Sequence, residues 1–421
     1  MVGMTTGPTR EVLLRMGSAL LAGGTPVPDV ERQVTVLGRS LGAPGARAAA
    51  TPTGLFVGLS ASDGIGFEPV SGTLRFEQVT RVQDVYERLM RGATTVPVAI
   101  GELDAIEAMP SSRPAWASDL AMVAIGTGIC AILQPTWRDL VTAAASSLLV
   151  AALVVLSRRI TVIRTLLPLL ASFAVAVLVL LVAQHWPLEG TLRTMIASFA
   201  VLLPGSMIVT GMSEIASGAA VAGSSRLVSG VMQLVLFAVG LFAAVSVTGE
   251  HLSALTNVRA QDLGPLAPYI GVAVIGCGIV VNVAASRAAI PWIFVVLALT
   301  FATQSIVQAA AGLILGALAG AAVAGFAANL VPRFSGRPLR LVVFLPAFWL
   351  LVPGSLGLLS TAELATGQAG FDAATLAIGS VVAVAAGTLI GSSAGRALDR
   401  LLDPAQRRVA ELGDVADVER L

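Results

Sequence analysis

The chain contains no lysine, so all 26 of its basic residues are arginines. A Walker-type phosphate-binding loop needs a lysine beside its glycines, so this absence excludes that kind of ATP-driven pump. Histidine and cysteine are scarce as well, with two of each. None of these four lies in the first 115 residues, which therefore hold no Ser-His or Cys-His catalytic arrangement. The sequence predicts a protein that is not an enzyme, and no ligand spacing predicts a metal or another cofactor.

Charged residues make up only 12% of the chain, whereas 56% of the residues are hydrophobic. A soluble domain is nearer a quarter charged. Much of the charge lies in residues 1–115, and apolar runs fill almost all of the chain from Trp116 to Ala394. This distribution predicts a polytopic α-helical membrane protein with the lipid bilayer as its surroundings, and it gives no indication of a nucleic acid partner.

The apolar region divides into about ten segments of roughly 20 residues, the length that crosses a bilayer. We place these spans near 117–134, 139–157, 163–186, 195–217, 225–248, 267–286, 289–305, 308–331, 340–364 and 371–395. Arginines are concentrated in the loops on the side of the N-terminus, and short cytoplasmic loops are enriched in Lys and Arg. We therefore expect both termini in the cytoplasm, which requires an even number of spans.

One motif, a Pro-Gly-Ser triplet followed after seven residues by a glutamate, occurs twice in the apolar region. Its two copies are Pro204-Gly205-Ser206 with Glu214 and Pro353-Gly354-Ser355 with Glu363. Each copy falls in the fourth span of a five-span unit. Because five is odd, the second unit enters the membrane from the opposite side, which predicts two inverted five-helix repeats.

The chemistry of the motif indicates a transport path. Proline leaves backbone carbonyls unpaired, and such backbone survives in a membrane only inside protein or beside a wet cavity. Matched breaks in two halves are the best sequence indication of a transporter's binding site. The two glutamates could bind a substrate ammonium, carry a coupling proton, or face lipid headgroups near the span ends. Secondary candidates, which could also be hydrogen-bonding contacts between helices, are Asn282, Gln304, Gln308 and Asn329.

Residues 1–115 predict a small α+β cytoplasmic module with a regulatory, gating or assembly role. Its helices are expected near 13–22, 29–41, 84–91 and 100–109, and its strands over Thr53–Ser60 and Thr73–Val79. The predicted organisation continues with a first five-helix unit over 116–262, a second over 263–398, and a short charged tail over 399–421.

Several short motifs follow one another along the chain. They are Gly17–Gly24, Asp29–Glu31, Thr51–Val57, Thr80–Val82 and Leu203–Gly205 with Glu214 downstream. In their order they resemble the bacterial threonine/serine exporter family. The resemblance implies a secondary transporter in the bacterial plasma (inner) membrane that exports L-threonine and L-serine, driven by the proton motive force. The sequence leaves open whether the protein forms a homo-oligomer.

Two other functions remain open on the sequence. One is a transporter or channel for a different small solute, and the other is a membrane sensor whose output is the cytoplasmic module. Matched breaks at the same place in two halves favour transport, because a sensor has no need of them.

Overall fold

The computed structural model describes residues 6–60, 63–134, 136–256, 260, 262–335, 344, 346–347, 350–351 and 371–402. Within these residues the protein is mostly helical and contains one three-stranded sheet. The second Pro-Gly-Ser motif, from Pro353 to Glu363, lies outside the described residues, as does the predicted tail beyond Leu402.

The N-terminal region begins with two helices, continues with a sheet and ends with two more helices. Its elements are α1 (Thr6–Ala22), α2 (Val27–Ser40), β1 (Arg47–Thr51), β2 (Gly54–Gly58), β3 (Gly66–Pro69), α3 (Phe76–Met90) and α4 (Val96–Glu107). The strands are antiparallel in the order β1-β2-β3. We call residues 6–107 the module.

The module has its own apolar core. Helical spacing brings Leu13 and Met16 of α1 and Val34 of α2 against Leu55 of β2, and all four side chains are buried. Burial of each such side chain contributes roughly 1.5–3 kcal/mol, so this core can hold the four helices and the sheet together.

The predicted strand over Thr73–Val79 is wrong, because helix α3 begins at Phe76. The Gln78 side chain accepts a hydrogen bond from the Arg75 N–H at 2.9 Å and so satisfies a backbone donor at the start of α3. The same side chain donates to the Ile106 carbonyl at 2.7 Å, which ties α3 to α4. Of the three observed strands only β2 overlaps a predicted one, and the sequence analysis predicted neither β1 nor β3.

The apolar region forms a series of helices. They are α5 (Ala115–Leu133), α6 (Trp137–Ser157), α7 (Thr161–Thr165), α8 (Leu167–His185), α9 (Thr191–Phe199), α10 (Gly205–Ala216), α11 (Ala220–Thr248), α12 (Ala267–Asn282), α13 (Ile290–Ala311), α14 (Leu313–Ser335) and α15 (Phe371–Leu402). In the described part of the chain, seven helices are long and apolar enough to cross a membrane. The α9–α10 pair makes eight if it is one span. The protein is thus a polytopic helical membrane protein, and the number ten stays a prediction.

The predicted boundary between spans seven and eight at Gln304–Gln308 is wrong. Helix α13 continues to Ala311, and the chain turns at Gly312, whose φ is +88°. This left-handed backbone conformation is one that glycine adopts without steric cost. Both glutamines therefore belong to a helix and not to a turn.

Helices α5 and α12 cross in contact through glycines. A Cβ atom on Gly128 would lie 2.7 Å from Ile275 Cγ1, and one on Gly278 would lie 2.7 Å from Ile125 Cγ1. Each glycine thus meets an isoleucine that precedes the other glycine by three residues. Such reciprocal contacts arise when two antiparallel helices are related by a local two-fold axis, and small residues let their backbones approach closely.

Candidate functional site

The chain breaks between α9 and α10, where the two helices are bent by 66°. A single 3-10 turn, Ala200–Leu202, follows α9, and Leu203 is extended with ψ of 137°. The residue before a proline avoids the helical region, and a proline at a helix start loses no hydrogen bond. Pro204 therefore ends one helix and starts the next, as the sequence predicts for this motif.

The first turn of α10 has backbone N–H groups without a side-chain cap. Pro204 and Gly205 are buried, and Ser206 is half-buried. The first intrahelical bond runs from the Ile208 N–H to the Pro204 carbonyl at 3.0 Å. The N–H groups that precede it point out of the helix start, where a helix favours negative charge.

Helix α10 packs against the second half of the chain. Val209 is buried in an apolar cluster with Ala321 of α14 and Val384 of α15. Leu351 belongs to the same cluster, and it precedes the second Pro-Gly-Ser motif by two residues. The first break therefore lies beside helices of the second half.

Glu214 lies at the other end of α10, about 15 Å from Pro204 at 1.5 Å per residue. Its carboxylate is fully buried, and Oε1 accepts a hydrogen bond of 2.9 Å from the Val27 N–H. Val27 is the first residue of α2, which has no side-chain cap of its own. Oε2 lies 3.1 Å from Nε of Arg226 in α11, an ion pair. Glu214 thus joins the module to the half-helix after the break, away from the break itself.

The secondary candidates occupy contacts within and between helices. The Asn282 amide donates to the Ser118 carbonyl at 3.1 Å and so links α12 to α5. Asn329 donates to the Gly325 carbonyl of its own helix at 2.8 Å. Gln304 and Gln308 are on the face of α13 that meets glycines of α14. None of these contacts involves a residue of the break.

A buried carboxylate that the sequence analysis did not select lies at the opposite end of the first unit. Asp139, in the first turn of α6, has no exposed surface. Its Oδ2 accepts a hydrogen bond from the Thr136 hydroxyl, and its Oδ1 accepts one from the Thr194 hydroxyl of α9. The only sequence signal was the Thr-x-x-Asp pattern, which is typical of an ordinary helix cap.

Buried hydroxyl groups continue from Asp139 toward the break along the contact between α6 and α9. The Ser198 hydroxyl donates to the Thr194 carbonyl at 2.8 Å, and the Ser147 hydroxyl donates to the Ser198 carbonyl at 3.3 Å. Ser146 is also fully buried, and its hydroxyl has no hydrogen-bond partner among the residues that the structure describes. We call Asp139, Thr194, Ser198, Ser146 and Ser147 the polar seam.

The counterpart of this seam in the second half of the chain holds a buried hydroxyl but no carboxylate in the part that the structure describes. Helix α13 follows α12 as α6 follows α5, and its buried residues are Ile293, Val296, Leu297 and Thr300. A carboxylate in an apolar protein interior is costly unless it has a function or strong partners. The buried carboxylate Asp139 is therefore what distinguishes the seam from the described part of the second half.

The loop after α11 covers the end of the seam that is remote from the module. The Leu192 N–H donates to the Thr256 carbonyl at 3.1 Å, and the Thr191 hydroxyl donates to the Ala254 carbonyl at 2.6 Å. The Ala260 N–H approaches Oε1 of the buried Gln134 at 3.4 Å. This loop closes the first half at that end.

A family model matches residues 11–248, more than half of the chain. The model is ThrE, described as "Putative threonine/serine exporter". The matched segment includes most of the module, the break between α9 and α10, and all of α11. No curated protein and no solved structure matches the chain.

Proposed function

Because the chain belongs to the threonine/serine exporter family, we propose that it is a secondary transporter that exports L-threonine and L-serine. We propose no enzymatic activity for it. The observation that carries the proposal is the break between α9 and α10 inside a membrane protein. Interrupted helices of this kind hold substrates in many transporters.

The break has the charge pattern that a zwitterionic amino acid needs. The carbonyl end of α9 carries partial negative charge, and the N-terminus of α10 at Gly205 carries partial positive charge. We place the substrate carboxylate at the N–H groups of Gly205 and Ser206, and the substrate ammonium near the carbonyls of the 3-10 turn Ala200–Leu202. The Ser206 hydroxyl would add a hydrogen bond to either group.

We further propose that the second motif, Pro353-Gly354-Ser355, faces the first across one cavity. The position of Leu351 in the same cluster as Val209 supports this arrangement. Two inverted five-helix units, 116–262 and 263–398, would produce it, and the reciprocal contacts of α5 and α12 support such a relation. In this arrangement Glu363 would lie near one end of the ninth span.

The exporter is proposed to use the proton motive force of the bacterial inner membrane, with the module and both termini in the cytoplasm. The arginine-rich loops on the side of the module support this orientation. Glu214 and Glu363 remain candidates for proton transfer. The contacts of Glu214 with Val27 and Arg226 favour instead a role in holding the module.

The test is substrate counterflow in proteoliposomes that contain the purified full-length chain. Labelled threonine and serine should exchange, and a panel of other amino acids defines the specificity. Gly205→Leu should stop exchange because the side chain fills the break, whereas Gly101→Leu, at an exposed helical glycine with open space around it, should not. If the wild-type protein exchanges neither threonine nor serine, the proposed substrate is wrong. If Gly205→Leu exchanges them as fast as the wild type, the proposed site is wrong.

A further inference from the structure

Asp139 differs from the other carboxylates of the membrane region in its surroundings. Asp119 is paired with Arg158, and Glu214 is paired with Arg226. Asp139 is fully buried and bonded to two hydroxyl groups, and it forms no ion pair with any residue that the structure describes. A buried carboxylate without a cation depends on its hydrogen bonds for stabilisation.

The hydrogen bonds around Asp139 can be satisfied in both protonation states. The Thr194 hydroxyl lies within hydrogen-bonding distance of Asp139 Oδ1 and of the Gly190 carbonyl, the latter at 3.2 Å. When Asp139 is charged, Thr194 donates to the carboxylate. When Oδ1 carries a proton, that proton is donated to the Thr194 oxygen, and the Thr194 hydroxyl turns to the Gly190 carbonyl. Thr136 donates to Oδ2 in either state.

An ordinary helix cap at the start of α6 does not require the hydrogen bond between Asp139 and Thr194. Thr136 by itself supplies the cap of α6, because its hydroxyl accepts from the Asp139 N–H at 3.2 Å and donates to Oδ2. The bond from Thr194 is additional, and it attaches α6 to α9, the half-helix that ends at the proposed substrate site. Protonation of Asp139 therefore changes a contact of the half-helix itself.

Of the other ionisable groups near Asp139, the Cys130 thiol interacts with Asp139 and Thr194, and the rest bond elsewhere or lie at the surface. On the packed elements and the nearby loop these groups are Cys130 on α5, Arg138 on α6, His185 on α8, Glu189 before α9 and Arg193 on α9. Arg138 donates to the Pro187 carbonyl and Arg193 to the Leu133 carbonyl, both at 3.4 Å. Cys130 approaches the Gln134 carbonyl at 3.7 Å. His185 and Glu189 are exposed.

From these contacts we infer that Asp139 is the residue that carries the coupling proton, with Thr194 as its positioning partner. The inference rests on the proposed proton-coupled export. A proton from water on the side opposite the module binds the carboxylate to form the neutral acid. The same proton is released to the other side after the half-helix α9 has moved, so no other reactant is needed. The unpartnered hydroxyl of Ser146, two turns further along α6, marks the direction of the proposed path.

The test compares two transport modes of the purified full-length chain in proteoliposomes. One mode is threonine uptake driven by an imposed pH gradient, with a pH-sensitive dye inside the vesicles to report proton movement. The other is threonine–threonine counterflow, which needs no net proton transfer. Asp139→Asn should abolish the gradient-driven flux and the proton signal but retain counterflow. The matched control Asp119→Asn, at the other end of the first unit, should retain both.

A second variant keeps the carboxylate and so tests the inference even if Asp139→Asn does not fold. Thr194→Val removes a hydrogen bond that favours the charged form more than the neutral form. The midpoint of the pH dependence should therefore move up by about one pH unit. Thr194→Ser should restore the original midpoint because it restores the hydroxyl.

The outcomes separate this inference from the proposed function. Wild-type protein that exchanges threonine but ignores the pH gradient contradicts proton coupling, and the role of Asp139 with it. A wild type that responds to the gradient, together with an Asp139→Asn variant that responds equally, overturns only the role of Asp139. A folded Asp139→Asn variant that loses both modes also overturns it, because that result indicates a structural cap. An unchanged midpoint of the pH dependence in Thr194→Val would also overturn the role of Asp139.

Discussion

Replacement of Glu214 should detach the module from the half-helix α10. The Glu214 carboxylate caps α2 through the Val27 N–H and is the ion-pair partner of Arg226, and it is fully buried. Loss of a hydrogen bond to a charged group costs about 1.5–3 kcal/mol, and breaking a buried ion pair costs about 3–5 kcal/mol. Arg226 belongs to α11 and not to the module, so only the loss of the hydrogen bond acts on the contact between the module and α10. We expect Glu214→Ala to weaken that contact by about 1.5–3 kcal/mol.

Hydrogen exchange at the Val27 amide measures this contact directly. Each 1.4 kcal/mol is a factor of ten in the opening equilibrium, so a loss of about 1.5–3 kcal/mol should speed exchange by roughly one to two orders of magnitude. Glu214→Gln keeps an acceptor for the Val27 N–H but removes the charge, and its effect should be smaller. The control is Glu250→Gln at the far end of α11, where the carboxylate bonds only to the exposed Gln184.

The reasoning would be refuted if Val27 exchanged at the wild-type rate in Glu214→Ala while the rest of the module also stayed unchanged. The transport assay adds a second discrimination. If Glu214 carries a proton, Glu214→Gln should lose gradient-driven flux, retain counterflow and leave the exchange of Val27 nearly unchanged. If Glu214 instead only joins the module to α10, Glu214→Gln should change the exchange of Val27 more than it changes the gradient-driven flux.

The sequence predicted the parts of the structure that depend on local chemistry. Pro204 and Gly205 break the helix where the motif stands, because proline cannot continue a helix and disfavours it in the residue before. The helix pair α1 and α2 follows from apolar spacing and from the glycines after each helix. Strand β2 overlaps the predicted strand over Thr53–Ser60.

The features that the sequence could not predict depend on contacts between distant residues. The Val27 N–H meets a carboxylate 187 positions away, and nothing near either residue indicates the other. Asp139 was missed because the pattern Thr-x-x-Asp is that of a cap, and only the approach of Thr194 from α9 distinguishes it. The strand predicted over Thr73–Val79 failed because Gln78 finds partners on both α3 and α4.

Two further predictions test the orientation and the packing of the membrane region. Reporter fusions after Arg159 should report the cytoplasm and fusions after Glu250 the outside, and the reverse result would overturn the proposed orientation. Gly278→Ala should lower the stability of the detergent-solubilised protein by about 1–3 kcal/mol, because its Cβ would lie 2.7 Å from Ile125 of the crossing helix. Gly128→Ala should cost the same, since its Cβ meets the equivalent atom of α12. The control Gly101→Ala, in open space at an exposed position of α4, should instead gain up to about 1 kcal/mol from helix propensity. Thermal unfolding that ranks the three variants equally would contradict the close antiparallel crossing, and a loss in only one of the two membrane variants would contradict its two-fold symmetry.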